Sequence, residues 1–299
     1  SAAAETAAGK PTPPAPPPVG EPLHLLSPMI DYVVSFEAVE PAPTHQLVDA
    51  RRKLEARIRK PQIWVGYNEY TRDWEQVTAP VQGGQDVEYR RLRVGLQLVD
   101  RQGPVSDSEL SIFYIAMRDL ADRLMAIVDL PARQPMLDAA GRLDEFCASV
   151  DIQIGINVIA QGQVFPGTKL RALAEAAGMA IDAQGRFVRR DEDGNILFVV
   201  LNQEASGFAA DTMRNMTTHG LTFLLDVPRV AHGERMFNQM VDLARRFADV
   251  LHGVLVDDNR RPLSENALAP IRQQIGHFQS AMAAQHLPAG GALTQRLFS

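Results

Sequence analysis

Cysteine is almost missing from this sequence: Cys147 stands alone among 299 residues, so no internal disulfide can form. It follows Leu143 and Phe146 at helical spacing, which reads as a small buried hydrophobe, and a reducing compartment fits. No run of about eighteen apolar residues occurs, so no bilayer-spanning helix is predicted. Ala2 to Ala8 is broken by Glu5 and does not read as a secretory signal. Positive charge is also in deficit, with 30 Lys and Arg against 36 Asp and Glu, a net charge of −6. That balance argues against nucleic acid, whose phosphates demand a basic face, and against purely electrostatic attachment to an anionic membrane.

Chemistry-bearing patterns are lacking as well. The seven histidines (His24, His45, His219, His232, His252, His277 and His286) are never at metal-ligand spacing. Gly83-Gly84 and Gly290-Gly291 have no strand-to-helix transition after them, so no phosphate loop is expected. Ser35 and Ser111 lack a nucleophile-elbow context. Asp257 and Asp258 are adjacent and precede Arg260 and Arg261, which suits a turn tied by local charge and hydrogen bonds better than a metal site. No catalytic residue, metal or cofactor is expected, and the function is sought in binding.

What is present begins with an Ala/Pro-rich tract containing Pro11, Pro13, Pro14, Pro16, Pro17 and Pro18. Such a tract buries too little to fold and predicts a semi-extended tether over residues 1–28. Two regions of similar plan follow, 29–150 and 151–285, with a flexible tail expected over 286–299. The first offers strands at 30–36, 63–67, 74–77 and 92–98, a helix over 44–57, a capping-box helix opened by Ser106 and Glu109, and a helix over 135–149. In the second, Ile152, Ile154, Ile156 and Val158 alternate with polar or small residues, Pro166 opens a helix, and Asp191 to Asn195 signals a hairpin. A short helix at 211–216, a strand at 221–227, a long amphipathic helix, a strand at Val254 and a last helix complete it. That last helix places Leu268, Ile271, Ile275, Phe278 and Met282 on one stripe. Ile154, Ile156, Phe247, Ile271 and Phe278 are expected in one core. The fold class is α+β: two tandem split β-α-β domains, each an antiparallel sheet with helices packed on one face. The repeated order suggests a divergent duplication; two unrelated α+β domains is the competing reading.

Thr217-Thr218-His219-Gly220 feeds the apolar run Leu221 to Val227, which stops at Pro228. Gly253-Val254-Leu255-Val256 ends in Asp257-Asp258-Asn259-Arg260-Arg261. In this order the two elements resemble the C-terminal domain of the ZipA family of bacterial division proteins, over roughly residues 150 to 285. The resemblance implies a non-enzymatic adaptor that binds the C-terminal peptide of FtsZ and links the division ring to the cytoplasmic face of the inner membrane. It also implies a membrane-spanning N-terminal helix absent from this sequence, followed by the proline-rich tether. A general protein-protein scaffold with an unknown peptide partner is the alternative.

Carried over by motif, the family's binding face falls on Gln153, Gly155, Gln184, Leu201, Gln203 and Leu224. Several of these are polar or lack a side chain where the family has apolar ones, and each lost apolar anchor is worth about 1.5–3 kcal/mol. Either the peptide differs, the first domain binds instead, or the register is off by one residue, which reverses the faces. In the first domain Trp64, Tyr67, Tyr70 and Trp74 cluster within eleven residues of a sequence only 6% aromatic. Trp64 and Tyr67 fall on opposite faces of their strand; the cluster is either core plus a hairpin corner or a set of peptide anchors.

Overall fold

The computed structural model describes residues 19–84 and 86–299. Most of the expected tether, residues 1–18, lies outside the described residues. Residues 19–28 do not behave as tether: Leu26 is buried against the first sheet, because its leucine side chain has an apolar face within reach.

The first domain runs β1 (Asp31–Pro43), α1 (Thr44–Glu55), β2 (Gln62–Asn68), β3 (Asp73–Gln76) and β4 (Glu88–Gln97). The small hairpin β5 (Val99–Asp100) and β6 (Gly103–Pro104) follows, then α2 (Asp107–Arg123), β7 (Ala126–Asp129) and α3 (Arg133–Val150). Its antiparallel sheet has the order β3-β2-β4-β1-β7. Tyr32, Val34 and Phe36 of β1 lie opposite Leu96, Val94 and Leu92 of β4. These six pack with Leu110, Phe113 and Met117 of α2. The capping box forms as expected, with Glu109 N donating to Ser106 Oγ at 3.1 Å and Ser106 N to the Glu109 carboxylate at 3.1 Å. Cys147 is buried on α3, where burial pushes its thiol up to about 12, so it packs as an uncharged hydrophobe.

The second domain runs β8 (Gln153–Ala160), β9 (Phe165–Pro166), α4 (Gly167–Ala176), β10 (Ala180–Ile181), β11 (Phe187–Arg190) and β12 (Ile196–Asn202). It continues with β13 (Thr217–Thr218), β14 (Gly220–Asp226), α5 (Gly233–Leu251), β15 (Gly253–Val256) and α6 (Glu265–Ala284). The sheet order is β10-β11-β12-β14-β8-β15. Residues 211–216 form turns rather than the expected helix. Six residues with Gly207 just before them hold too few hydrogen bonds to repay helix nucleation. One face of the sheet, with Ile156, Val158, Phe198, Val200, Leu221, Phe223 and Leu225, packs under Phe237, Met240, Ala244 and Phe247 of α5. Phe223 meets Phe247 edge-on at 5.3 Å between ring centres.

The domains are joined by more than a linker. The apolar stripe of α6 divides between the two cores. Leu268, Ile271 and Ile275 serve the second, whereas Met282 and Phe278 pack on the first, so Phe278 leaves the core expected for it. A twenty-residue helix is about 30 Å long and outruns one small core. The expected flexible tail is instead α7 (Ala292–Leu297) and a docked C-terminus. Leu297 and Phe298 are buried in the first core, and Arg296 pairs with the buried Asp31 at 2.5 Å. Arg101, on the β5–β6 turn, reaches Asp226 at 2.6 and 2.7 Å and Asp151 at 2.7 Å. Hydrogen bonds to Asp226, then Asp151, outweigh desolvation and hold its guanidinium more firmly protonated than usual.

Candidate functional site

The helices pack on one side of the second sheet, and among the described residues no helix packs on the other. Cross-strand register fixes its members: Leu224 of β14 lies opposite Val199 of β12 and Gly155 of β8. Thr222 lies opposite Leu201 and Asn157, and Asp226 opposite Gln153. None of these side chains belongs to the helix-packed core. Gln153, Gly155, Leu201 and Leu224 therefore lie on the face away from the helices.

The face divides in two. At one end Gln153, Gln184, Leu224, Val199, Ile196 and Leu197 line a cavity of about 300 Å³, rimmed by Arg186, Arg229 and Asp226. Gly155 leaves room beside Leu224. A methyl placed there would meet Thr222 Cγ2 at 3.6 Å and Leu224 Cδ1 at 3.7 Å, ordinary contact distances. Arg186 is held at the rim by Asp182, whose carboxylate accepts from Arg186 Nη2 at 2.7 Å and from the Arg186 and Gln184 amides at 3.0 Å. Burial would raise the Asp182 carboxyl, but its hydrogen bonds to Arg186 win and keep it below the usual range. The turn closes tightly because Gly185 has φ +75° and faces Gly207, where a Cβ would come within 2.9 Å of backbone.

At the other end the face is polar. Gln203 Nε2 donates to Asn157 Oδ1 at 3.0 Å, Thr222 Oγ1 to the same oxygen at 2.7 Å, and Asn157 Nδ2 to Asp258 at 3.1 Å. Leu201 borders this network and is half-buried. Of the six motif-derived residues, Gln153, Gln184 and Leu224 share the cavity, with Gly155 flanking them, while Leu201 and Gln203 belong to the polar end. Sequence reasoning missed Val199, Arg186, Arg229, Asn157 and Asp258. Two-residue periodicity from Leu201 and Gly155 would have found Val199 and Asn157; Arg186 comes from a loop and Arg229 from the 3-10 turn after β14, and neither carries such a signal.

The two motif elements are structural. Thr218 Oγ1 bonds Asn202 Oδ1 at 2.6 Å, and Gly220 leaves space for the Gln203 side chain that a Cβ would strike. Asp257 accepts from the Asn259 and Arg261 amides at 2.8 and 2.9 Å, so backbone donors rather than arginine charges tie that turn. Among the described residues, no group of three or more His, Cys, Asp or Glu is placed to hold a metal ion.

The corresponding face of the first sheet is covered. Tyr67 lies opposite Trp74, and Val65 opposite Arg93, on the side away from the helices. Arg93 stacks on Trp74 at 4.9 Å and Arg91 on Tyr67 at 5.4 Å. Trp64 points the other way and is buried in the helix-packed core, so it is not available as an anchor. Residues 19–26 cross this face. Trp74 Nε1 donates to Gly20 O at 2.6 Å, Glu21 pairs with Arg93 at 3.0 Å, and Leu26 is buried with Val65 and Trp74.

Residues 152–274 match the family described as ZipA, C-terminal FtsZ-binding domain. The chain is 27% identical over 176 residues to the cell division protein ZipA of Ectopseudomonas mendocina, covering 57% of this chain and 64% of that protein. It is 31% identical over 123 residues to ZipA of Vibrio vulnificus, covering 40% of each. To ZipA of Pseudomonas aeruginosa it is 32% identical over 133 residues, covering 43% of this chain and 46% of that protein. The chain thus spans between 40% and 64% of the length of these relatives.

Proposed function

We propose that this protein is a non-enzymatic cell-division adaptor, on the similarity of residues 152–274 to the ZipA C-terminal FtsZ-binding domain. Its second domain binds the C-terminal tail of FtsZ on the outward sheet face. The observation that carries this reading is the uncovered apolar end of that face, with Leu224, Val199 and Leu197 around a cavity of about 300 Å³. A short peptide loses conformational freedom on docking, and apolar side chains entering one contiguous hollow offset that loss. Gln153 and Gln184 at the edge supply hydrogen-bond partners for an extended backbone. The adaptor would link the division ring to the cytoplasmic face of the inner membrane through a membrane segment outside this chain. No helix among the described residues is long and apolar enough to cross a membrane.

The test is a titration of the full chain with a fluorescent FtsZ-tail peptide from the same organism, read by anisotropy. Binding in the micromolar class that Leu224→Glu weakens at least tenfold, with the circular dichroism unchanged, supports the proposal. A second reading, a general scaffold for another peptide, is favoured by the polar network that Gln203 makes with Asn157 and Thr222, since Gln203 stands where the family pattern is mainly apolar. A folded wild-type protein that ignores the FtsZ tail at high micromolar concentration would select it.

A further inference from the structure

The segment over the first sheet is held in an unusual way for part of a core. Its backbone folds on itself: Leu25 and Leu26 amides both donate to Pro22 O at 2.9 Å, and Leu23 N donates to Glu21 O at 2.9 Å. Among the described residues, the only backbone group of residues 19–26 bonded to the sheet is Gly20 O, through the Trp74 indole. The side-chain attachments are the Glu21 carboxylate, which accepts from Arg93 Nε at 3.0 Å and Nη2 at 3.2 Å, and the buried Leu26. Leu26 fills the space over Gly95, where a Cβ would stand 2.3 Å from its Cδ2. Leu23 is 66% exposed and turns away.

Hollows flank the segment on both sides. One of about 360 Å³ is lined by His24, Tyr67, Arg72 and Trp74, and one of about 320 Å³ by Leu23, Val33, Pro131 and Met136. The contacts beneath form an apolar cluster of their own, with Leu26, Val65 and Trp74 buried and Val33, Ile63 and Tyr67 beside them, apart from the main core. An acidic anchor on an arginine, a leucine in a glycine-floored pocket and a carbonyl on an indole make up a recognition pattern for a short linear peptide. With few buried contacts, such a segment belongs to the low-stability end of the molecule and opens locally.

We propose that the covered face of the first domain is a second peptide site, occupied in cis by residues 19–28. The partner it fits is a short linear peptide with an acidic residue and, five positions on, a leucine. This rests on the geometry of this face alone and stands whether or not the second domain binds FtsZ. Arg93, stacked on Trp74 with its Nη1 turned to Leu92 O and Glu37, offers Nε and Nη2 to the peptide carboxylate and sets the requirement for it; Gly95 sets the requirement for a branched aliphatic tip. Release of residues 19–28 exposes Tyr67, Val65 and Trp74 together.

The probe is a labelled synthetic peptide of residues 19–28, VGEPLHLLSP, added to the full chain. Glu21→Ala with Leu26→Ser weakens the resident segment while leaving the face intact. That variant should bind the probe at least tenfold more tightly than wild type, and adding Arg93→Glu or Gly95→Ala should remove the gain. Equal binding by wild type and the opened variant would put the peptide elsewhere and overturn the proposal. A folded opened variant that does not bind would make the segment a structural cover only, which also overturns it. A wild-type dimer abolished by Arg93→Glu would assign the face to the segment of a second copy instead of cis occupancy. If the opened variant fails to fold, hydrogen exchange on wild type decides. Amides of Leu23 to Leu26 exchanging at least a hundredfold faster than those of Val34 and Val94 support a displaceable segment; equal protection contradicts it.

Discussion

The two sheets share an inner frame and differ in what lies on their outer faces. In both, the first strand of the domain pairs with the strand before the long helix on one side and the strand after it on the other: β4-β1-β7 and β14-β8-β15. Beyond that frame the chain visits the remaining positions in opposite order. In the first domain the strand next to the frame, β2, comes before the outer β3; in the second the outer β11 comes before the adjacent β12. A straightforward duplication would keep that order, so the expectation that the halves superpose holds for the frame and fails at the outer hairpin. Since β3 and β4 both run antiparallel to β2, the loop 77–87 must return the length of a strand, which its eleven residues allow. The difference teaches that the frame and its helices make the fold, while what the chain lays over the outward face decides whether that face is open, since the candidate site itself takes Gln153, Gly155 and Leu224 from the frame strands β8 and β14. One face is covered by residues 19–26; the other has no such segment over it among the described residues.

The largest test of the shared frame is Phe247→Ala, which should cost about 3–5 kcal/mol by opening a cavity under Phe223. Denaturant unfolding measures it, and Phe113→Ala beneath Tyr32 should cost the same range if the two cores are comparable. Less than 1 kcal/mol at either site would mean that the frame does not bear on stability there.

Next in size is the junction. Arg101→Ala leaves Asp151 and Asp226 without their shared donor and should cost about 1.5–3 kcal/mol, because hydrogen bonds to charged groups are being lost. The same variant should make the two domains unfold at separate midpoints. A single unchanged transition would show that α6 and α7 alone hold them together.

The faces themselves are compared by Leu224→Glu and Tyr67→Glu. The first should lower affinity for the FtsZ tail by about 1.5–3 kcal/mol, the burial value of one apolar side chain. The second should leave it unchanged, since Tyr67 lies under residues 19–26. Isothermal titration of both variants distinguishes them. Gly155→Ala should alter stability by less than about 0.5 kcal/mol, because the added methyl makes ordinary contacts with Thr222 and Leu224.

The smallest expected effect is a difference in acid response. Glu109 accepts from the Ser106, Arg59 and Lys60 amides, and although its burial works upward, these donors hold its carboxyl below the ordinary range. A depressed carboxyl contributes stability that is complete above its unfolded value, about 4.3, and is lost as pH falls through the lower folded value. Glu109→Gln should therefore cost about 1 kcal/mol at neutral pH and nothing in strong acid. The matching helix α5 has no side-chain cap; its first amide, Gly233 N, is met by the neutral Gln279 at 2.9 Å. Thermal melts across pH 2–7 should show the cap's contribution in the first domain alone.

Much of this was legible in the residues. Period-two alternation at Ile154, Ile156 and Val158 and period-3.6 spacing at Met236, Met240 and Phe247 gave the right faces, and Gly155, Leu201 and Leu224 came out together. Long-range placement was not legible. Nothing local says that Phe278 changes cores or that Phe298 docks across the molecule, because these depend on where a second domain stands, or that Leu26 closes over Gly95, because that contact joins residues far apart in the sequence. The family match ends at residue 274, just where α6 leaves its own core for the neighbour's.

The central claim is that the outward face of the second sheet takes the peptide while that of the first is covered by residues 19–26. Methyl chemical-shift mapping of the full chain during titration with the FtsZ-tail peptide tests it most directly. The account predicts saturable shifts at Val199, Leu201 and Leu224 and none at Leu26 and Val65. Shifts confined to Leu26 and Val65, or none at either face at high micromolar peptide, would contradict it.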